Sequence, residues 1–171
     1  KSGSERVLQI MNRKYTKVEY LEKINKLKNA RPEMNLTTDV IVGFPTETEE
    51  EFLECVEYCK IVGFSKIHVF PYSKREGTKA ASMDGHLPNS IKKERARKLI
   101  AIDNDLQLEY NKKFIDTKVN VLVEEIVDNK SIGHTQNFLK VEINEVLEPN
   151  TCYDVVVKEA FIDKVIGKRE E

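Results

Sequence analysis

The sequence predicts an α/β segment followed by an all-β segment, and three observations predict it. Before Tyr72, helical apolar spacing alternates with two runs rich in β-branched residues, joined by short links. After Lys118 the apolar period changes to two. Between them lies one long helical stretch, residues 91–115, which reads as a bridge.

The elements follow in order. SGSERVLQIMNRKYT opens the chain as a loop with a short helical turn at ERVLQIM. Thr16 and Glu19 form a capping box, and Val18, Leu21, Ile24 and Leu27 recur at helical spacing, so 17–29 is an amphipathic helix that Pro32 ends. Leu36 to Phe44 is a strand, apolar through VIV and expected to be covered on both faces. Thr48 and Glu51 cap a second helix whose face is Phe52, Cys55, Cys59 and Val62, with Gly63 as its C-cap. KIHVFPY is the next strand. SKREGTKAASMDGHLPNS has no sustained period and is a long loop, a kind of segment that is commonly functional or connecting. In the helix after it, Ile91, Leu99, Ile102, Leu106 and Tyr110 lie near one stripe. Val119, Val121 and Val123, then Leu139, Val141 and Ile143, then Val155 and Val157 alternate with polar residues. Turn signals at Asp128-Asn129 and Pro149-Asn150 separate these runs, as in a small, strongly bent barrel.

Composition sets the class. The chain has 171 residues, 40% hydrophobic and 33% charged, as in an ordinary globular protein of one domain or two small ones. No apolar run approaches the roughly 20 residues that span a bilayer, so no membrane partner is expected. Three cysteines, with no secretory signal at the start, indicate a reducing cytoplasm rather than a disulfide framework. A start at Lys1 in the loop-like KSGS reads as a piece of a longer chain. Net charge is −1, but its distribution is uneven: Lys74 to Lys113 holds ten cations against six anions, and Lys118 to Glu171 seven against eleven.

LTTDVIVGFPTETEEEF carries the clearest site signal, because ligands of parallel α/β sheets gather beyond the carboxyl ends of strands. Asp39 interrupts an apolar strand and either faces a ligand or has a buried partner. Gly43 permits close backbone approach. Glu49, Glu50 and Glu51 occupy the positive end of the following helix and argue against a phosphate there. Cys55 and Cys59 have the spacing of a Cys-x-x-x-Cys metal motif, but the third position of the iron–sulfur pattern is Val62 and both lie on the apolar face, which favours a core role. His68, His86 and His134 share no ligand spacing, so no metal ligands are assigned. PYSKREGTKAA joins an aromatic residue to Lys74, Arg75 and Lys79 and suits an RNA backbone, although composition alone slightly favours a solvated loop. Gln136, Asn137, Phe138 and Lys140 in GHTQNFLKVE have the same character on a barrel strand, although the acidic balance of that region opposes backbone binding.

Taken together, SGSERVLQIMNRKYT, TTDVIVGFPTETEEEF, HVFPYSKREGTKAA and GHTQNFLKVE resemble the radical S-adenosylmethionine tRNA methylthiotransferases over essentially the whole chain. KREGTKAAS is most similar to the branch acting on threonylcarbamoyladenosine, where the isopentenyladenosine branch more often has an Arg-Pro-Gly-Thr-Pro loop. The resemblance implies that 1–85 is the end of a radical S-adenosylmethionine partial (β/α) barrel, 86–116 a linker helix, and 117–171 a TRAM domain, an OB-like β-barrel for RNA. It implies S-adenosylmethionine and 4Fe–4S clusters as cofactors, with cluster ligands outside this stretch, and the tRNA anticodon stem-loop as partner. Ser2, Ser4, Asp39, Gly43 and Tyr72 would then border the cofactor. Arg75 and Lys79 would approach RNA phosphate, and Gln136, Asn137, Phe138 and Lys140 would lie on the TRAM binding face. Thr46 stands where the family usually has Gly. Two other readings are an RNA-binding module without catalysis and an inactive piece that self-associates through open strand edges.

Overall fold

The computed structural model describes residues 1–170; Glu171, the last residue of the expected 117–171 segment, lies outside the described residues. The chain divides into two compact units, one from Lys1 to Asp103 and one from Asn104 onward.

The first unit holds α1 (Glu5–Ile10), α2 (Lys17–Ala30), β1 (Thr37–Val42), α3 (Glu49–Val62) and β2 (Lys66–Pro71), then most of α4 (Asn89–Lys112). Local chemistry sets the helix ends. Thr16 with Glu19 and Thr48 with Glu51 form complete capping boxes, satisfying donors that a helix start leaves open. Gly63 closes α3 in the left-handed conformation expected of a C-cap. β1 and β2 pair in parallel, with Asp39 opposite His68 and Val42 opposite Pro71. The amide of Ile41 donates to the Lys1 carbonyl at 3.0 Å, so the opening loop runs along the other edge of β1.

The expectation that β1 is covered on both faces is corrected. Burial alternates: Val40 and Val42 are buried, whereas Thr37 is exposed and Asp39 and Ile41 are half-buried. The helices cover one side only, with Leu8, Tyr20 and Cys59 beside Thr38 and Val40. A run of three apolar residues therefore marked a strand but overstated its cover.

The second unit is a closed five-stranded barrel of β3 (Lys118–Val127), β4 (Lys130–His134), β5 (Lys140–Ile143), β6 (Cys152–Ala160) and β7 (Val165–Arg169), in the order β3-β4-β5-β7-β6. All neighbours are antiparallel except β5 and β7. This order and the bulges in β3 and β6 agree with the OB-like barrel expected. Its core is the inward set of Val121, Val123, Val141, Ile143, Val155 and Val157, joined by Tyr110 and Phe114. Asp128 and Asn129 both have positive φ (50° and 60°), the geometry of a tight hairpin turn.

One placement differs from the sequence reading. Gln136, Asn137 and Phe138 form the turn between β4 and β5, and only Lys140 is on a strand. Phe138 has φ 60°, which no strand accommodates.

Candidate functional site

The carboxyl ends of β1 and β2 meet where the Tyr72 amide donates to the Val42 carbonyl at 2.8 Å. The turn that leaves β1 there is built from charge. Gly43 has φ +70°, and a Cβ on it would come within 2.5 Å of Lys92 Cγ, so glycine serves both the dihedral and the close approach. Its amide donates to Glu47 Oε1 at 2.8 Å. Arg95, from α4, donates through Nη1 to the same oxygen at 2.6 Å and to the Glu47 carbonyl at 3.1 Å. Both side chains are buried, and the Arg95 guanidinium lies 5.4 Å from the Phe52 ring centroid. Burial pushes the Glu47 carboxyl upward, against the opposing pull of the Gly43 amide and Arg95. The short contact with Arg95 nonetheless marks the pair as ionic.

The opening loop packs against this turn. Ser4 caps α1, accepting from the Val7 amide, and its hydroxyl donates to Glu51 Oε1 at 3.3 Å. Ser2 Oγ accepts from the Ser4 amide at 3.2 Å. Both serines are buried. Arg6 donates to both Glu51 oxygens at 2.6 Å, which holds that carboxyl down at about 2. Glu51 is thus a cap and an anchor at once, rather than only a surface charge complementing the helix dipole.

Tyr72 packs edge-on to Phe44, with ring centroids 5.2 Å apart, and against His86 at 5.7 Å. Lys92 Nζ lies 5.6 Å from the Tyr72 ring centroid. The Tyr72 hydroxyl is buried with no hydrogen-bond partner among the described residues. Asp39 sits apart from this cluster, four residues back along the strand from Gly43, or about 13 Å at ~3.3 Å per residue. Its carboxylate pairs with Lys1 Nζ, which lowers its pKa. Of the five residues read as bordering a cofactor, Gly43 and Tyr72 come together at the sheet's carboxyl end. Ser2 and Ser4 shape the adjoining loop with hydroxyls already engaged.

Arg75 and Lys79 are exposed in the loop after β2, and the hydrogen bonds around them are local, including Thr78 to Arg75 and Ser82 to Lys79. In the barrel, Phe138 is 77% exposed, flanked by the exposed Gln136 and Lys140. Asn137 turns inward: its amide nitrogen donates to the Tyr110 hydroxyl at 3.1 Å and its oxygen accepts from the Thr135 hydroxyl. Thr135 Oγ1 also accepts from the Leu139 amide at 3.0 Å. The turn is held from beneath, and its ring faces water.

No group of three or more His, Cys, Asp or Glu among the described residues is arranged to hold a metal. Cys55 and Cys59 are core residues: Cys55 Sγ accepts from the Gly3 amide at 3.0 Å, and the Cys59 thiol is pushed upward by its bond with Cys55 and by burial. This donor set does not fit an iron–sulfur cluster. At the carboxyl end of the sheet the buried Tyr72 hydroxyl lacks a hydrogen-bond partner among the described residues, an orphan polar atom that a polar ligand group would satisfy.

Comparison with known proteins decides the family. Residues 1–59 match the model of the radical SAM superfamily. Threonylcarbamoyladenosine tRNA methylthiotransferase MtaB of Bacillus subtilis (strain 168) is 44% identical over 145 residues, 82% of this chain and 32% of that protein. tRNA-2-methylthio-N(6)-dimethylallyladenosine synthase of Aquifex aeolicus (strain VF5) is 46% identical over 134 residues, 78% of this chain and 30% of that protein. The enzyme of that name from Syntrophus aciditrophicus (strain SB) is 36% identical over 174 residues, 98% of this chain and 37% of that protein. The chain belongs to the radical S-adenosylmethionine methylthiotransferase family. It spans about a third of the length of these relatives.

Sequence reasoning missed the Glu47–Arg95 pair, whose members are 48 positions apart. It also missed the support that Tyr110 gives to the β4–β5 turn. Glu47 lies beside three other acidic residues, so its type gave no sign that it alone turns inward.

Proposed function

We propose that the protein carrying this chain methylthiolates the adenine C2 position of threonylcarbamoyladenosine, beside the anticodon of tRNA. The observation that carries the reading is the alignment with an enzyme named threonylcarbamoyladenosine tRNA methylthiotransferase over 82% of the chain, which enters both units. When bound, S-adenosylmethionine and the 4Fe–4S clusters supply the one-electron and methyl-transfer chemistry. The residues of this chain place and enclose. Gly43 and Tyr72 border the cofactor pocket, and the Glu47–Arg95 pair holds the Gly43 amide in its place. Arg75 and Lys79 meet RNA phosphate, while Phe138, with Gln136 and Lys140, meets an unpaired base and its backbone. Asn137 acts by fixing the turn. On this reading 1–85 is the end of the catalytic barrel and 117–171 a TRAM domain, and the protein works in the cytoplasm, where its tRNA substrate is. No helix of the described residues is long and apolar enough to cross a membrane.

The threonylcarbamoyl branch is supported by the loop KREGTKAAS and by the Bacillus subtilis relative. The dimethylallyl branch is the second reading, favoured by the 46% identity to the Aquifex aeolicus enzyme. Nucleoside mass spectrometry of tRNA from cells lacking the full-length gene separates them. Loss of the methylthio form of threonylcarbamoyladenosine supports the first, and loss of the dimethylallyl counterpart moves the protein to the second. No change in either removes the catalytic reading and leaves an RNA-binding module. Residues 1–171 alone are expected to cleave no S-adenosylmethionine, and cleavage by that polypeptide without other subunits would refute this.

A further inference from the structure

Thr46 is the only β-branched residue with positive φ (67°) among the described residues. For a β-branched side chain this is a true outlier, and backbone strain of this kind persists only where its surroundings over-determine it. Two neighbours do so. Arg6 donates through Nη1 to Thr46 Oγ1 at 3.1 Å and through Nη2 to its carbonyl at 2.7 Å, while Nε and Nη2 remain paired with Glu51. On the other side, the Thr46 amide donates to the Gly85 carbonyl at 2.9 Å. Gly85 has φ +76°, and a Cβ on it would approach Thr46 Cγ2 to 2.8 Å, so the threonine methyl group sits where only glycine leaves room.

Thr46 therefore joins three segments: the first turn of α1, the turn that leaves β1, and the returning end of the loop after β2. That loop is tied to the sheet at Tyr72 and to Thr46 at Gly85, and it carries the exposed Arg75 and Lys79 between those ties. We propose that Thr46 is a positioning residue: braced by Arg6, it pins the loop from Ser73 to Gly85 over the carboxyl end of β1 and sets the opening through which the substrate nucleoside of an RNA enters. The proposal rests on the methylthiotransferase reading for the identity of what enters, and on the hydrogen bonds alone for the pin.

The decisive variant is Thr46→Gly in the full-length protein, because glycine suits the left-handed backbone and the fold should survive. The variant loses the Arg6 bond to Oγ1 and the methyl packing on Gly85 but keeps both backbone bonds, and the thermal midpoint should stay unchanged or rise. Amide exchange over residues 78–86 should speed up about three- to tenfold, the scale of one net hydrogen bond, and KM for tRNA should rise by a similar factor with kcat retained. Thr46→Ser keeps the Oγ that Arg6 grips and should restore most of the slow exchange. Arg6→Lys keeps the charge beside Glu51 but loses the forked contact, and should resemble Thr46→Gly. Both variants keep the Thr46 amide's bond to the Gly85 carbonyl, so unchanged exchange in both overturns the proposal that the braced Thr46 side chain holds the loop. Faster exchange with an unchanged KM overturns its role in substrate entry. If the unaltered protein does not methylthiolate tRNA, the functional reading fails, and the exchange measurement still decides whether Thr46 holds the loop.

Discussion

The turn after β1 and the turn between β4 and β5 each hold a non-glycine residue left-handed, Thr46 at φ 67° and Phe138 at φ 60°. They are secured by different chemistry. The first is held by charge, with Glu47 and Arg95 3% and 4% exposed and Arg6 locked on Glu51. The second is held by neutral groups, the Thr135 hydroxyl, the Asn137 amide and the Tyr110 hydroxyl. Desolvated charge makes a turn that is costly to disturb, because each removed partner strands the other. Neutral bonds make a turn that is rigid at lower stakes and leaves its apolar ring in water. A wall facing a small ligand suits the first arrangement, and a surface offered to a large partner suits the second.

The largest test of that contrast is Arg95→Ala, which leaves the buried Glu47 carboxylate without its counter-charge and with only the Gly43 amide as donor. It should destabilise the α/β unit by about 3–5 kcal/mol in urea unfolding, and a loss below about 1 kcal/mol would remove the distinction between the turns. Phe138→Asn should weaken binding of single-stranded RNA by about 1–3 kcal/mol, the worth of one stacked base, while leaving the barrel as stable as before because Asn tolerates positive φ. Equal affinity for RNA would assign the exposed ring to another purpose. Tyr110→Phe removes only the hydroxyl beneath that turn and should cost about 1 kcal/mol of barrel stability. The smallest effect is one of pH. Glu51 titrates near 2 in the folded state instead of the ordinary 4.5, so its contribution is complete above pH 4.5 and is lost as pH falls toward 2. Comparing Arg6→Gln with the unaltered protein by unfolding at pH 6 and pH 3 should show a smaller acid loss in the variant, and parallel curves would remove Arg6 as the cause.

Much of the architecture was legible because its signals are local. Val121, Val123, Val141, Ile143, Val155 and Val157 alternate in the chain and all point into the barrel. Phe52, Cys55, Cys59 and Val62 share a helical face and are all buried, which bears out the core reading of the two cysteines. The site was less legible. Asp39 read either as facing a ligand or as held by a buried partner, and its carboxylate pairs with Lys1, away from the strand end. Asn137 looked like part of an exposed polar face and turns inward to Tyr110. In each case the side chain's direction depends on a partner distant in sequence.

By itself the sequence determined the helix starts at Thr16 and Thr48, the stop at Gly63 and the change of apolar period near Lys118. Each depends on residues within one turn of each other or on a two-residue repeat. Only the tertiary structure decided that Glu47 meets Arg95, that Thr46 is held left-handed between Arg6 and Gly85, and that β5 and β7 close the barrel in parallel. Those choices join residues separated by 20 to 50 positions, where partners are selected by how the chain packs rather than by the spacing of residue types.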